Sequence, residues 1–125
     1  MNKVVKAIRG ACCSANTKEE ITKNVCDLFN KIAGENKLEA EDLISIHFSV
    51  TKDITVLNPA TALRKGNPNI DVTQAALFCT QEAEIEGGLP SMIRVMVTAY
   101  MDSDLKKTNV YLNGAEKLRP DYCNK

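Results

Sequence analysis

The run from Met92 to Tyr100 limits what this chain can fold into more than any other stretch. Successive side chains of a strand point to opposite faces. The run therefore places Ile93, Val95 and Val97 on one face and Met92, Arg94 and Met96 on the other. It is the strongest strand signal in the chain, and it carries a charge where apolar neighbours dominate. Such a charge is costly unless it is paired or functional. Two readings of Arg94 are open at this level: a rim arginine whose stem lies along apolar surface, or a cation with a task.

The remaining patterns place other elements around this strand. Val4 to Ala11 reads as a strand with Gly10 near its end. Thr17 and Glu20 have the spacing of a capping box. Ile21, Val25, Leu28, Phe29 and Ile32 then recur at helical spacing, and the helix is expected to stop near Gly34. Leu43 to Thr51 alternates, with Ile44, Ile46, Phe48 and Val50 on one face and Ser45, His47, Ser49 and Thr51 on the other. His47 is expected to be solvated rather than catalytic. Asn58 and Pro59 open a short helix as N-cap and first residue, and it ends at Gly66. Ala75 to Thr80 and Thr108 to Leu112 read as strands, and Glu86-Gly87-Gly88 as a turn. The order is strand, helix, strand, helix, strand, strand, strand. It implies an α+β fold: residues 1–125 as a single domain, with one mixed β-sheet and helices packed on one side. The order of strands in the sheet is not readable.

Charge and cysteine content exclude several classes of function. Lys plus Arg and Asp plus Glu are 16 each, so a diffuse basic surface for nucleic acid is not expected. No apolar run is long enough to span a membrane. The segment Met1-Asn2-Lys3-Val4-Val5-Lys6 lacks the apolar stretch of a secretory signal, so a cytoplasmic setting is expected. The 5 cysteines include no CxxC pair, and His47 is the 1 histidine. Neither a disulfide framework nor a metal centre is expected, and most thiols read as small buried hydrophobes.

Several other residues need an explanation. Arg9 lies among Ala7, Ile8, Gly10 and Ala11, and Arg64 ends the short helix, where a cation suits the helix dipole. Arg119 precedes Pro120. Arginine's planar fork matches carboxylates, so these groups could converge with Arg94 on an anionic ligand. Glu82 directly follows the apolar segment that ends in Phe78-Cys79-Thr80-Gln81. It is either a solvated turn residue or a carboxylate that meets a substrate hydroxyl. Tyr111 is a half-buried core aromatic or a hydroxyl donor. There is no Ser-His-Asp set, no Gly-rich phosphate loop and no nucleophile with a base beside it. An enzyme built from these residues works by positioning and electrostatics.

Together, Ala7-Ile8-Arg9-Gly10-Ala11, Pro59-Ala60-Thr61-Ala62-Leu63-Arg64, Cys79-Thr80-Gln81-Glu82, Gly87-Gly88-Leu89 with Ile93-Arg94-Val95-Met96, Val110-Tyr111-Leu112 and Leu118-Arg119-Pro120-Asp121 carry a resemblance. In order and spacing these blocks resemble the monofunctional chorismate mutases of the AroH class, over almost the whole chain. The resemblance implies a homotrimeric pseudo-barrel with active sites in clefts between subunits. It also implies rearrangement of chorismate to prephenate in aromatic amino-acid biosynthesis, with no cofactor, no metal and no covalent intermediate. Arg94 matches the arginine facing the ether oxygen of chorismate. Arg9 matches a carboxylate-binding arginine, Tyr111 a hydroxyl donor to a carboxylate, and Arg64 a basic residue at the mouth of the site. Glu82 and Cys79 match the pair near the ring hydroxyl. Phe78, Cys79, Thr80, Gln81 and Glu82 match one wall, and Leu118 and Arg119 the tail that closes over the pocket.

Some positions depart from the family pattern. Thr61 stands where the family has a lysine, Asn58 where it has an aromatic wall residue, and Cys12-Cys13 where it has paired threonines. The chain ends at Lys125, which makes a short closing tail. These changes bear on substrate affinity more than on the chemistry. They leave open a noncatalytic trimer that binds a small dicarboxylate on the same scaffold, and an interaction module whose arginines form surface ion pairs.

Overall fold

A computed structural model describes residues 2–118. Its elements are β1 (Lys3–Cys13), α1 (Lys18–Glu35), β2 (Leu43–Val50), α2 (Pro59–Lys65), β3 (Ala76–Gln81), β4 (Met92–Asp102) and β5 (Val110–Leu112). Short 3₁₀ turns at Ala40–Asp42 and Ala115–Leu118 complete the set. The strands form one sheet in the order β3-β2-β4-β1-β5. β4 runs antiparallel to β1 and β2, while β5 is parallel to β1 and β3 parallel to β2. The expected mixed sheet is therefore present, with β4 at its centre.

The helix signals work as local chemistry predicts. Thr17 Oγ1 accepts from the Glu20 backbone N–H at 3.1 Å, and Asn58 Oδ1 accepts from Ala60 N–H at 2.8 Å. Each cap satisfies a donor that the first helical turn leaves unpaired. Both helices pack on the same side of the sheet. Ile8, Ile46, Phe48, Ile93, Val95 and Val97 face them there, together with Ile21, Leu28, Phe29, Ile32 and Leu63. Among the described residues no α-helix packs on the opposite face of the sheet.

Two local expectations are corrected. Leu43 pairs with Ala99 but Ser45 pairs with Thr98, so Ile44 is an extra residue in β2. The bulge reverses the side-chain alternation at that point. Leu43 is consequently buried at 6%, and Ile44 is 38% exposed instead of joining Ile46 in the core. The last strand starts at Val110 rather than Thr108. The Thr108 backbone N–H donates to Asn36 Oδ1 at 2.7 Å, and its carbonyl accepts from Asn36 Nδ2 at 2.9 Å. A side chain thus takes the place of a strand partner there.

Gly10 lets β5 and α1 approach β1. A Cβ at this position would lie 2.8 Å from the Val110 carbonyl oxygen, 2.9 Å from Ile32 Cδ1 and 3.2 Å from Leu28 Cδ1. One neighbour is backbone and cannot rotate away. Gly10→Ala is expected to destabilise the fold by about 1–3 kcal/mol through overpacking. Urea unfolding checks this, and an unchanged midpoint would show that β5 can shift without penalty.

Candidate active site

Arg94, Arg9 and Tyr111 lie on the helix-free face. Cross-strand partners share a face. Thr80, Ser49, Arg94, Ala11 and Tyr111 form one transverse row through β3, β2, β4, β1 and β5. Arg9 lies on the same face two residues from Ala11 along β1, opposite Met96. The sheet order, which no local pattern revealed, thus brings Arg94, Arg9 and Tyr111 into one neighbourhood.

At the end of β3 the Glu82 backbone N–H donates to the Val50 carbonyl at 2.7 Å, extending the ladder by one bond. This carries the carboxylate over the sheet edge toward β4. Glu82 Oε2 accepts from Ser49 Oγ and lies 3.3 Å from Arg94 Nε. The Glu82 side chain is 24% exposed and that of Arg94 49%, so the pair is shielded on one side and open on the other. Arg94 is thus a paired cation, and its contact is made at Nε, the inner nitrogen of the fork. Ser49 is the part that sequence reading missed. The only signal for it was its place on the polar face of β2.

A cavity of about 620 Å³ opens beside this pair, lined in part by Thr51, Asp53, Ile85, Leu89, Glu82 and Arg94. That volume suits a small organic ligand. Its rim is held by Asp53, whose carboxylate accepts from Thr51 Oγ1, from Ser91 Oγ and from the Ser91 backbone N–H at 2.9 Å. The hydrogen bond from Thr51 first, then those from Ser91, hold this carboxyl below the usual carboxylate range. The bonds also fix Ser91 in its left-handed conformation, φ 58°. Glu84 and Glu86 line the cavity too, and Lys52 joins Arg94 as a lining cation. Among the described residues of one chain the lining therefore holds more acid than base.

Beneath the row, Ala11, Met92 and Ala115 form a small buried cluster with Cys13, Leu89 and Tyr111 against it. This second core braces the ring of Tyr111 and roots the 3₁₀ turn that ends in Leu118. Arg119 lies outside the described residues.

Other candidates are placed elsewhere. Cys79 pairs with Phe48 and packs against the helix-side core, so within one chain its thiol does not join Glu82. Burial raises its pKa and keeps it a thiol. Gln81 pairs with Val50 on that same side, while Phe78 stands on the helix-free face, 64% exposed. Arg64 is exposed in the last turn of α2, which packs on the helix side. His47 is half-buried rather than simply solvated. Its Nε2 lies 3.2 Å from Thr80 Oγ1, and its ring meets Phe78 edge-on with centroids 5.6 Å apart. Cys12, fully buried, has its pKa pushed up to about 12 by desolvation and is an inert core thiol. Among the described residues no helix is long and apolar enough to cross a membrane.

Comparison with known proteins agrees with this architecture. The family model described as chorismate mutase type I matches residues 5–122. The chain is 36% identical to chorismate mutase AroH of Bacillus subtilis (strain 168) over 122 residues, 94% of this chain and 92% of the relative. It is 33% identical to chorismate mutase AroH of Thermus thermophilus over 121 residues, 94% of this chain and 96% of that one. A solved chorismate mutase from Clostridium thermocellum superposes with a TM-score of 0.77 at 40% identity, covering 90% of this chain and 98% of the other. The chain belongs to the chorismate mutase type I family.

Proposed function

We infer that this protein is an isomerase of aromatic amino-acid biosynthesis that converts chorismate to prephenate, with residues 1–125 as one chorismate mutase domain. One observation carries the reading. Arg94, held by Glu82, borders a cavity of small-molecule size on the sheet face that also bears Arg9 and Tyr111.

The reaction is intramolecular. The ether carbon–oxygen bond of the substrate breaks while a carbon–carbon bond forms between the enolpyruvyl arm and the ring. The ether oxygen gains negative charge in the transition state. A guanidinium already fixed in place stabilises that charge more than it stabilises the ground state. The contact with Glu82 at Nε orients Arg94 and leaves its terminal nitrogens for the substrate. Arg9 and Tyr111 hold substrate carboxylates, and Glu82 receives the ring hydroxyl. Holding the flexible arm over the ring supplies the rest of the rate by removing orientational freedom.

The working form in this reading is a cytoplasmic homotrimer. Val5, Phe78, Met96 and Tyr100 are 53%, 64%, 43% and 45% exposed, and all stand on the helix-free face. Large apolar side chains exposed on one sheet face in this way suit an interface. Three chains joined through these faces make a pseudo-barrel with sheets inside and helices outside. A neighbouring chain then supplies Arg64 and the wall Phe78-Cys79-Thr80-Gln81. The extra arginine also offsets the acidic lining that a dianionic substrate would otherwise meet.

The test is the fall of chorismate's ultraviolet absorbance on adding purified protein. Catalysed loss is expected. A folded trimer that binds chorismate in calorimetry but does not consume it would reduce the protein to a dicarboxylate binder.

A further inference from the structure

β5 is a three-residue edge strand, and it carries Tyr111. So short a ladder with β1 is weak guidance for a side chain that must meet a substrate. The chain just before and just after the strand, however, is gripped by buried asparagines of α1 and its C-cap.

At the start of β5 stands Asn36, the C-cap of α1, 1% exposed. Its Oδ1 accepts from Thr108 N–H at 2.7 Å, and its Nδ2 donates to the carbonyls of Thr108 at 2.9 Å and Ile32 at 2.8 Å. The amide thus pairs with the Thr108 peptide groups in both directions, as a neighbouring strand would. At the far end stands Asn24, 5% exposed. Its Oδ1 accepts from Asn113 Nδ2 at 2.9 Å, and its Nδ2 donates to Ser14 Oγ at 3.1 Å. Asn113 is the left-handed turn residue, φ 56°, that ends β5.

The two grips match in length. Asn24 to Asn36 spans about 18 Å at helical rise, and Thr108 to Asn113 about 17 Å at strand rise. Between them Val110 is buried in the same core as Leu28 and Ile32, where Gly10 admits the close approach.

We propose that Asn24 and Asn36 are positioning residues for Tyr111. Together they set where β5 lies along α1, and hence where the phenol stands on the helix-free face. This rests on the chorismate reading for what Tyr111 does, though the clamp is a feature of the fold itself. Both asparagines act from the helix side and from the loop that leaves it, so they reach the substrate only through β5. Removing either amide leaves buried partners without their bonds and frees β5 to slide. Substrate holding then weakens while the chemistry at Arg94 is largely preserved.

The test is a double-mutant cycle. Asn36→Ala and the milder Asn113→Gly are made in the wild-type and Tyr111→Phe backgrounds. Asn113→Gly removes one grip while glycine keeps the positive φ. The expected result with chorismate is a KM raised about tenfold with kcat changed less than about threefold, and less than about a twofold KM effect once Tyr111 is already phenylalanine. Hydrogen exchange should accelerate at the Tyr111 and Leu112 amides while the amides of β4 stay protected. Equal KM effects in both backgrounds, or loss of protection spread over the whole sheet, would overturn the clamp while leaving the chorismate reading intact. A wild type without turnover would instead overturn the chorismate reading and the clamp's purpose together.

Discussion

Replacing Arg94 with alanine is expected to lower kcat about 10²–10³-fold, a loss of about 3–4 kcal/mol of transition-state stabilisation, by analogy with removing one oxyanion donor. The fold should tolerate the change. Arg94 lies on the helix-free face, half exposed, and its carboxylate partner Glu82 keeps the hydrogen bond from Ser49. Melting temperature should move little while turnover collapses. Arg94→Lys should recover only a small part of the rate. An ammonium cannot hold Glu82 and the substrate through one planar fork. A loss below about tenfold for Arg94→Ala would mean that the developing charge is stabilised elsewhere, and the role given to Arg94 would fall.

Tyr100→Glu is expected to leave each chain folded, convert the proposed trimer to monomer and reduce activity more than about 100-fold. Tyr100 is 45% exposed and pairs with Val5, itself 53% exposed, on the helix-free face. In a single chain a glutamate there meets water, so the folding cost is small. In an assembly the same carboxylate is buried against apolar surface without a partner, which costs several kcal/mol. Tyr100 lies about 20 Å from Arg94 along β4, so the substitution does not disturb the site directly. Sedimentation and the chorismate assay read the two effects separately. A fully active monomer would overturn the interfacial site.

Much of the fold was legible because its signals are local. Thr17 and Asn58 cap helices through bonds to backbone two or three residues away. The alternation of β4 reports burial directly from Ile93 to Met101, while Met92 on the Arg94 face is buried by the second cluster. Ile44 was misread because its bulge exists only in relation to Ala99 and Thr98 of another strand. The late start of β5 was hidden for the same reason, since Asn36 lies 72 residues from Thr108.

Arg94 shows where this boundary runs. By itself the sequence determined that a charge sits in an apolar strand, that no rival nucleophile accompanies it, and that its neighbouring blocks resemble one family. It could not say whether that charge was a rim residue or a held one. The tertiary structure decided this by seating β2 between β3 and β4, which brings Ser49 and Glu82 to Arg94 and sets Ala11 between Arg94 and Tyr111. The physical reason is that side-chain periodicity and capping act over a few residues, whereas strand order is settled by the burial of whole faces and leaves no mark at any single position.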